Sequence, residues 1–377
     1  MNNTVMAHAK ASREKPDMRQ AIEGSLLGLM VGDAIGLPLE GIGPRRIERF
    51  LTKGLHPRLL LGRAMISDDS EHALMTAAAL TAHWGQPQRF SRSLAWRLRW
   101  WFARLPAGVG MATARSIIKL WLGFPPRYSG VFSAGNGPAM RAPVIGVVLG
   151  DAPVQMLECL AGSTQMTHRD PKALMGAVAV AQAAWVASQQ KEADFDAYLA
   201  SLQTLIQSAK GAFGLNLSLY EDFLKILRPV QEALTNGDDI TQVAQQMGLG
   251  KGVTGYMYHT VPLSLLVAFR YQDDYRLAIE SIVRLGGDAD TTAAIVGGIV
   301  GAHTGRNQIP VEWLKGIADW PMNPVYATAL ASQLAHAKQS GQSAAVRWLP
   351  GPLILLRNLF FLTVVLTHGF RRLLPPY

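Results

Sequence analysis

The chain has 377 residues, 49% of them hydrophobic, with 36 Gly, 21 Pro and a single cysteine, Cys159. That length supports one large domain or two small ones. One cysteine excludes an intrachain disulfide and a cysteine-based zinc site, and it fits a reducing, cytoplasmic compartment. Lysine plus arginine exceed aspartate plus glutamate by 36 − 27 = 9, a surface that attracts phosphates, nucleic acid, anionic lipid or acidic proteins without choosing among them.

Residues 1–19 are polar, lack the apolar stretch of a secretory signal, and read as a flexible tail. From Ile22 to Gly36 the spacing is helical, and Gly24, Gly28, Gly32 and Gly36 recur every fourth residue. Glycine costs about 1 kcal/mol against alanine inside a helix, so this stripe predicts close packing on another backbone. Pro38 ends the helix and leaves Glu40 on the following loop.

Next, Ser67-Asp68-Asp69-Ser70-Glu71-His72 opens a second helix. Three acidic groups within four residues exceed what capping needs, and charges so close repel unless a cation lies between them. Over 91–104, Trp96, Trp100 and Trp101 alternate with Arg92, Arg97, Arg99 and Arg104. This predicts a helix with its tryptophans on the core and its arginines solvated; a nucleic-acid or membrane face is the other reading. A Gly/Pro/Ser-rich loop over 123–137 runs into Gly135-Asn136-Gly137-Pro138-Ala139-Met140-Arg141 and can bring backbone N–H groups to a phosphate. Thr167-His168 precedes a helix predicted over 171–188.

The late stretch Leu285-Gly286-Gly287-Asp288-Ala289-Asp290-Thr291-Thr292 leads into another small-residue stripe at Ala293, Gly297, Gly301 and Gly305. The two striped helices are predicted to lie side by side in the core. Alone, Asp288 at the N-cap with Asp290 and Thr291 in the first turn is an ordinary acidic helix start. Together with the earlier motif it makes six hard oxygen donors: Ser67, Asp68, Asp69, Asp288, Asp290 and Thr291. If they converge they require cations, and an all-oxygen set suits Mg²⁺, Mn²⁺ or Ca²⁺ rather than zinc. Four carboxylates suffice for two such ions at the usual two-metal separation of roughly 3.5–4 Å.

Residues 336–348 are small and polar and read as a linker or loop. Leu353 to Thr367 is apolar but interrupted by Arg357 and Asn358. It is predicted to be a helix against the domain or on a membrane surface, since its 15 residues reach only ~22 Å against a hydrocarbon core of ~30 Å. Period-two alternation is scarce, so the fold class is all-α.

Five stretches, in order, resemble the ADP-ribosylglycohydrolase family: Gly32-Asp33-Ala34-Ile35-Gly36 through Glu40, Ser67-Asp68-Asp69-Ser70, Gly135 through Arg141, Thr167-His168, and Gly286 through Thr291. The resemblance spans roughly 20–305. It implies a compact orthogonal helical domain over 20–335, followed by an extension over 336–377. It also implies a site holding two Mg²⁺ or Mn²⁺ through Ser67, Asp68, Asp69, Asp288, Asp290 and Thr291, with Glu40 and Asp69 as catalytic carboxylates. Asn136, Gly137 and His168 then contact substrate. The implied activity is removal of ADP-ribose from ADP-ribosylated protein side chains, most often arginine, reversing mono-ADP-ribosylation and in some settings protecting against a toxin. The implied partners are the modified protein and the product ADP-ribose, without nucleic acid, and with peripheral membrane contact by the C-terminal segment as a separate expectation. An inactive ADP-ribose-binding protein on the same scaffold is the alternative.

Overall fold

In the computed structural model, which describes residues 15–52 and 54–371, two backbones in direct contact form the centre. The helix Met18–Gly36 starts on a capping box, in which the Gln20 N–H donates to Asp17 Oδ1 at 2.7 Å and the Asp17 N–H to Gln20 Oε1 at 3.0 Å. It is buried from Ala21 to Gly36 and runs antiparallel to Ala289–Thr304. A Cβ built on Gly24, Gly28, Gly32 or Gly36 would lie 2.0–2.4 Å from the carbonyl oxygens of Gly301, Gly297, Ala293 and Ala289 respectively. On the facing stripe, a Cβ on Gly297 or Gly301 would lie 2.3 or 2.2 Å from the oxygens of Gly28 and Gly24. The predicted side-by-side pairing is therefore what the glycines permit, and the Tyr275 hydroxyl locks it by donating to Gly28 O at 2.5 Å.

Helices Ala142–Leu149, Pro171–Gln189, Met257–Arg270, Tyr275–Arg284 and Pro324–Ser340 pack around this pair and complete one continuous apolar core. Phe195–Ser208 and Leu217–Asn236 form an outer layer. All regular elements among the described residues are helices, and extended segments meet only as isolated bridges. The fold is all-α, as the pattern predicts. Residues 1–14 of the expected tail lie outside the described residues, and the first helix begins at Met18.

Two outer helices differ from expectation. Of the three tryptophans on Pro87–Phe102 only Trp101 is buried, while Trp96 and Trp100 face out, Trp100 meeting both Trp96 and Trp121 edge-on. Arg97 and Arg99 are instead partly covered, Arg99 because its guanidinium donates to Leu120 O at 2.6 Å. The C-terminal helix is also longer than the apolar run suggests. It spans 21 residues, Gly351–Arg371, about 31 Å. By length and composition Gly351–Phe370 could cross a membrane, as could the wholly buried Met18–Leu39. The inner face of Gly351–Arg371, Ile354, Arg357, Asn358, Phe361 and Val364, is buried on the domain.

Candidate active site

The striped pair places its acidic ends together. Asp33, in the last turn of Met18–Gly36, is fully buried, and its carboxylate accepts the Ser67 N–H at 2.9 Å, the Ser70 N–H at 3.1 Å and the Ser70 hydroxyl. It therefore holds the start of Asp68–Ala82 from outside that helix. Burial raises its carboxyl to about 6 against these hydrogen bonds. Local capping falls to Ser67, whose Oγ accepts the Asp69 N–H at 3.3 Å. Across the site Asp288 occupies an N-cap position but does not cap. Its Oδ2 instead accepts from Asn136 Nδ2 at 2.6 Å, and that amide also donates to Thr260 Oγ1 at 2.9 Å. An acidic helix start alone does not account for this carboxylate.

The two triplets touch. The Thr291 hydroxyl donates to Asp69 Oδ2 at 3.2 Å, and the Ser67 hydroxyl reaches the same oxygen at 3.2 Å. Asp69 Oδ1 is buried with no hydrogen-bond partner. Asp68, Asp69 and Asp290 are each pushed well above the usual carboxylate range, by burial first and then by their acidic neighbours. Those neighbours are chiefly Asp33 for Asp68, Asp68 for Asp69, and Glu40 for Asp290. Concentrated charge, an orphaned carboxylate oxygen and hard donors only make a set that fits a divalent cation. Among the described residues no three acidic, His or Cys side chains already enclose a common point as a finished cage.

Glycines shape the rest. Gly286 and Gly287 have φ of 66° and 79°, and a Cβ on Gly287 would lie 2.0 Å from Val253 O. This tight passage lets Gly287 bond to Ile42 on one side while Asp288 N–H donates to Val253 O at 2.9 Å on the other. The loop at Gly135 and Gly137 closes over His168, whose ring lies 2.9 and 3.1 Å from where their Cβ atoms would be. Beneath it the buried Arg141 donates to Thr167 Oγ1 at 2.8 Å, and Thr167 Oγ1 lies 3.0 Å from His168 Nδ1. Burial, and then the Arg141 cation, lower His168 to about 3, so its ring is neutral.

A cavity of about 350 Å³ joins these parts and is lined by every site residue expected from the sequence: Glu40, Ser67, Asp68, Asp69, Asn136, Gly137, His168, Asp288, Asp290 and Thr291. Glu40 sits at its exposed rim. Glu71, the third acid of the early cluster, turns away from the cavity toward Trp101 and Arg357. Sequence reasoning gave no role to Asp33, Arg141 or Thr167. A carboxylate set among the glycines and apolar residues at the end of a striped helix was the available signal for Asp33. It also missed Phe361 and Val365, which line the cavity from the C-terminal helix.

Comparison with known proteins places the chain in a family. A family model described as ADP-ribosylglycohydrolase matches residues 14–344. An uncharacterized protein of Archaeoglobus fulgidus is 28% identical, over 83% of this chain and 96% of its own. The ADP-ribosylhydrolase ARH3 of Xenopus tropicalis is 27% identical over 82% and 96%. The ADP-ribosyl-[dinitrogen reductase] glycohydrolase of Rhodospirillum rubrum is 25% identical over 80% and 91%. A solved structure titled ADP-ribosylglycohydrolase-related protein complex superposes with a TM-score of 0.56 at 25% identity, covering 85% of this chain and 99% of that one. With all-helical architecture, acidic helix starts and glycine loop in their expected places, the chain belongs to the ADP-ribosylglycohydrolase family, whose activity is hydrolysis at ADP-ribosyl groups.

Proposed function

We propose that this protein is a metal-dependent hydrolase that removes ADP-ribose from ADP-ribosylated protein side chains, arginine foremost, reversing mono-ADP-ribosylation, including modification by a toxin. The observation that carries this is the direct contact of the two acidic triplets through Thr291 and Asp69, with an unpartnered Asp69 oxygen beside it. Ser67, Asp68, Asp69, Asp288, Asp290 and Thr291 are the residues that would hold two Mg²⁺ or Mn²⁺. Bound there, the ions supply charge that orients substrate hydroxyls and lowers the pKa of water.

The chain's own groups do the rest. Glu40 at the rim or Asp69 inside moves the proton between water and leaving group. The buried carboxylates favour positive charge on the glycosidic carbon as its bond breaks. Asn136 and Gly137 present the loop that receives the substrate's phosphates, and the neutral His168 supports that loop and offers a hydrogen bond without a charge. The intact donor set speaks against an inactive ADP-ribose-binding protein. The C-terminal helix further suits peripheral contact with an anionic membrane surface.

The test is incubation of the protein with substrates ADP-ribosylated on arginine or on serine, in Mg²⁺, Mn²⁺ or chelator, reading released ADP-ribose. Release is expected from the arginine substrate with either ion and none in chelator, with about two ions bound per chain. A tightly held stoichiometric zinc, or equal release in chelator, would sink the reading.

A further inference from the structure

The helix Gly351–Arg371 lies beyond the 14–344 reach of the family model, yet it enters the site in two ways. Arg357 turns inward and is 1% exposed. Its Nη2 donates to Ile66 O at 2.6 Å and to Asp319 Oδ2 at 2.6 Å, its Nε to Asp319 Oδ1 at 2.9 Å, and its Nη1 to Glu71 Oε1 at 3.0 Å. Ile66 and Glu71 flank the four residues Ser67 to Ser70, so one guanidinium holds both ends of the segment that carries Ser67, Asp68 and Asp69. Asp319 closes the clamp by accepting the Ile66 N–H at 3.0 Å, and Trp101 Nε1 fixes the other Glu71 oxygen at 2.5 Å. Asn358 anchors the helix beside it by donating to Arg104 O at 2.8 Å. One and two turns on, Phe361 lies against the Arg357 guanidinium, 4.5 Å from ring centre to cation, and Phe361 and Val365 line the cavity.

We propose that Arg357 is a positioning residue for the catalytic site, holding the Ser67–Asp69 donors in place, and that Phe361 and Val365 form a specificity wall. The C-terminal helix is thus a working part of the hydrolase, an inference that rests on the function proposed above. Stability alone explains the clamp poorly, because exchanging a buried ion cluster for well-packed apolar side chains is often neutral or stabilising. A bidentate fork that also grips a backbone carbonyl does what an apolar side chain cannot, which is to fix where a particular segment lies.

The discriminating variant is Arg357→Lys, which keeps the charge but cannot bridge Asp319, Glu71 and Ile66 O together. Its readouts are Mn²⁺ affinity by calorimetry and hydrolysis at saturating Mn²⁺. The control is Leu227→Ala, in the outer helix Leu217–Asn236 and away from the cavity, with melting temperatures measured for each. Arg357→Lys is expected to lose about tenfold or more in Mn²⁺ affinity and in kcat with little change in KM, the size of effect typical of groups that orient ligands. Leu227→Ala should lose stability only. Val365→Ala, which leaves Phe361 against the guanidinium, should shift KM and the preference between small ADP-ribosyl compounds and modified proteins, and an unchanged preference overturns the specificity wall. If Arg357→Lys does not fold, Asp319→Asn, which keeps the shape and breaks the fork, is read in the same way. Parent-like Mn²⁺ affinity and kcat in the clamp variant, or an equal loss in Leu227→Ala, overturns the positioning role. A parent that neither binds Mn²⁺ nor releases ADP-ribose overturns the hydrolase reading and this inference with it; a working parent beside an unchanged variant overturns this inference alone.

Discussion

Asp290 shows most plainly what a single side chain is asked to do here. It is 5% exposed, its Oδ1 accepts the Thr291 N–H at 2.9 Å, and burial together with Glu40, Asp69, Asp288 and Asp33 raises its carboxyl well above the ordinary range. Asp290→Asn keeps the shape and removes a charge facing the cavity. Turnover is expected to fall about a hundredfold, ~2.7 kcal/mol of transition-state stabilisation, with weaker metal binding. In chelator the variant should melt at the parent's temperature or higher, because carboxylates crowded without cations repel one another. Parent-like turnover would refute a metal role, and a variant unfolded even in chelator would make Asp290 a helix-capping residue. At this scale the sequence is legible where donors cluster at helix starts, which is why the Asp-rich triplets could be named from it, whereas Asn136 and His168 were named only through the family resemblance. Asp33 and Arg141 were given no role because their work is done on partners distant in the chain, Asp33 on Ser67 and Ser70 and Arg141 on Thr167; for Arg357 the sequence offered surface exposure or a carboxylate partner, and the structure shows the carboxylates Glu71 and Asp319. No local pattern marks such pairs.

Between elements, the joint of Met18–Gly36 with Ala289–Thr304 sets where those side chains stand. A methyl group on Gly32 would lie 2.0 Å from Ala293 O and 2.9 Å from Ala294 N, and neither backbone can yield without moving its helix. Gly32→Ala is therefore expected to cost about 3 kcal/mol or more, at or above the usual range for overpacking. Gly369→Ala is the contrast, because that glycine is exposed in Gly351–Arg371 with nothing near its missing Cβ; alanine there should be neutral or stabilise by roughly 0.5–1 kcal/mol. Denaturant melts of the pair check both, and a neutral Gly32→Ala would mean that the helices are not in backbone contact. The pairing of these helices could be read from two four-residue stripes. The outward turn of Trp96 and Trp100 was missed because the Trp/Arg pattern was weighed without Phe90, Leu94 and Leu98, which with Trp101 make the buried face of that helix.

Taken whole, the molecule carries one long apolar surface that nothing among the described residues covers. Leu356, Leu359, Phe360, Leu366 and Phe370 of the C-terminal helix are 41–66% exposed, with Trp348 exposed just before its start and Arg371-Arg372 at its end. Vesicles containing anionic lipid are expected to sediment the protein, less so in high salt, and Leu366→Glu with Phe370→Glu should abolish this. Alkaline carbonate should release it, because Arg357 and Asn358, about a third of the way along the helix, are engaged with the domain. Retention after carbonate would mean that the helix spans, and absence of sedimentation would remove the membrane from its partners. The glycine joint, finally, bears on how far such a molecule can drift. Along the glycine stripe the two helices meet backbone to backbone, which leaves little side-chain packing there to renegotiate. Substitutions elsewhere in the core can thus accumulate without changing the span between the end that carries Asp33 and the end that carries Asp290. A chain sharing only 28% of its residues with an archaeal relative over 83% of its length has had ample occasion for such change, and a gauge cut in main chain is one that mutation of the surrounding shell cannot wear.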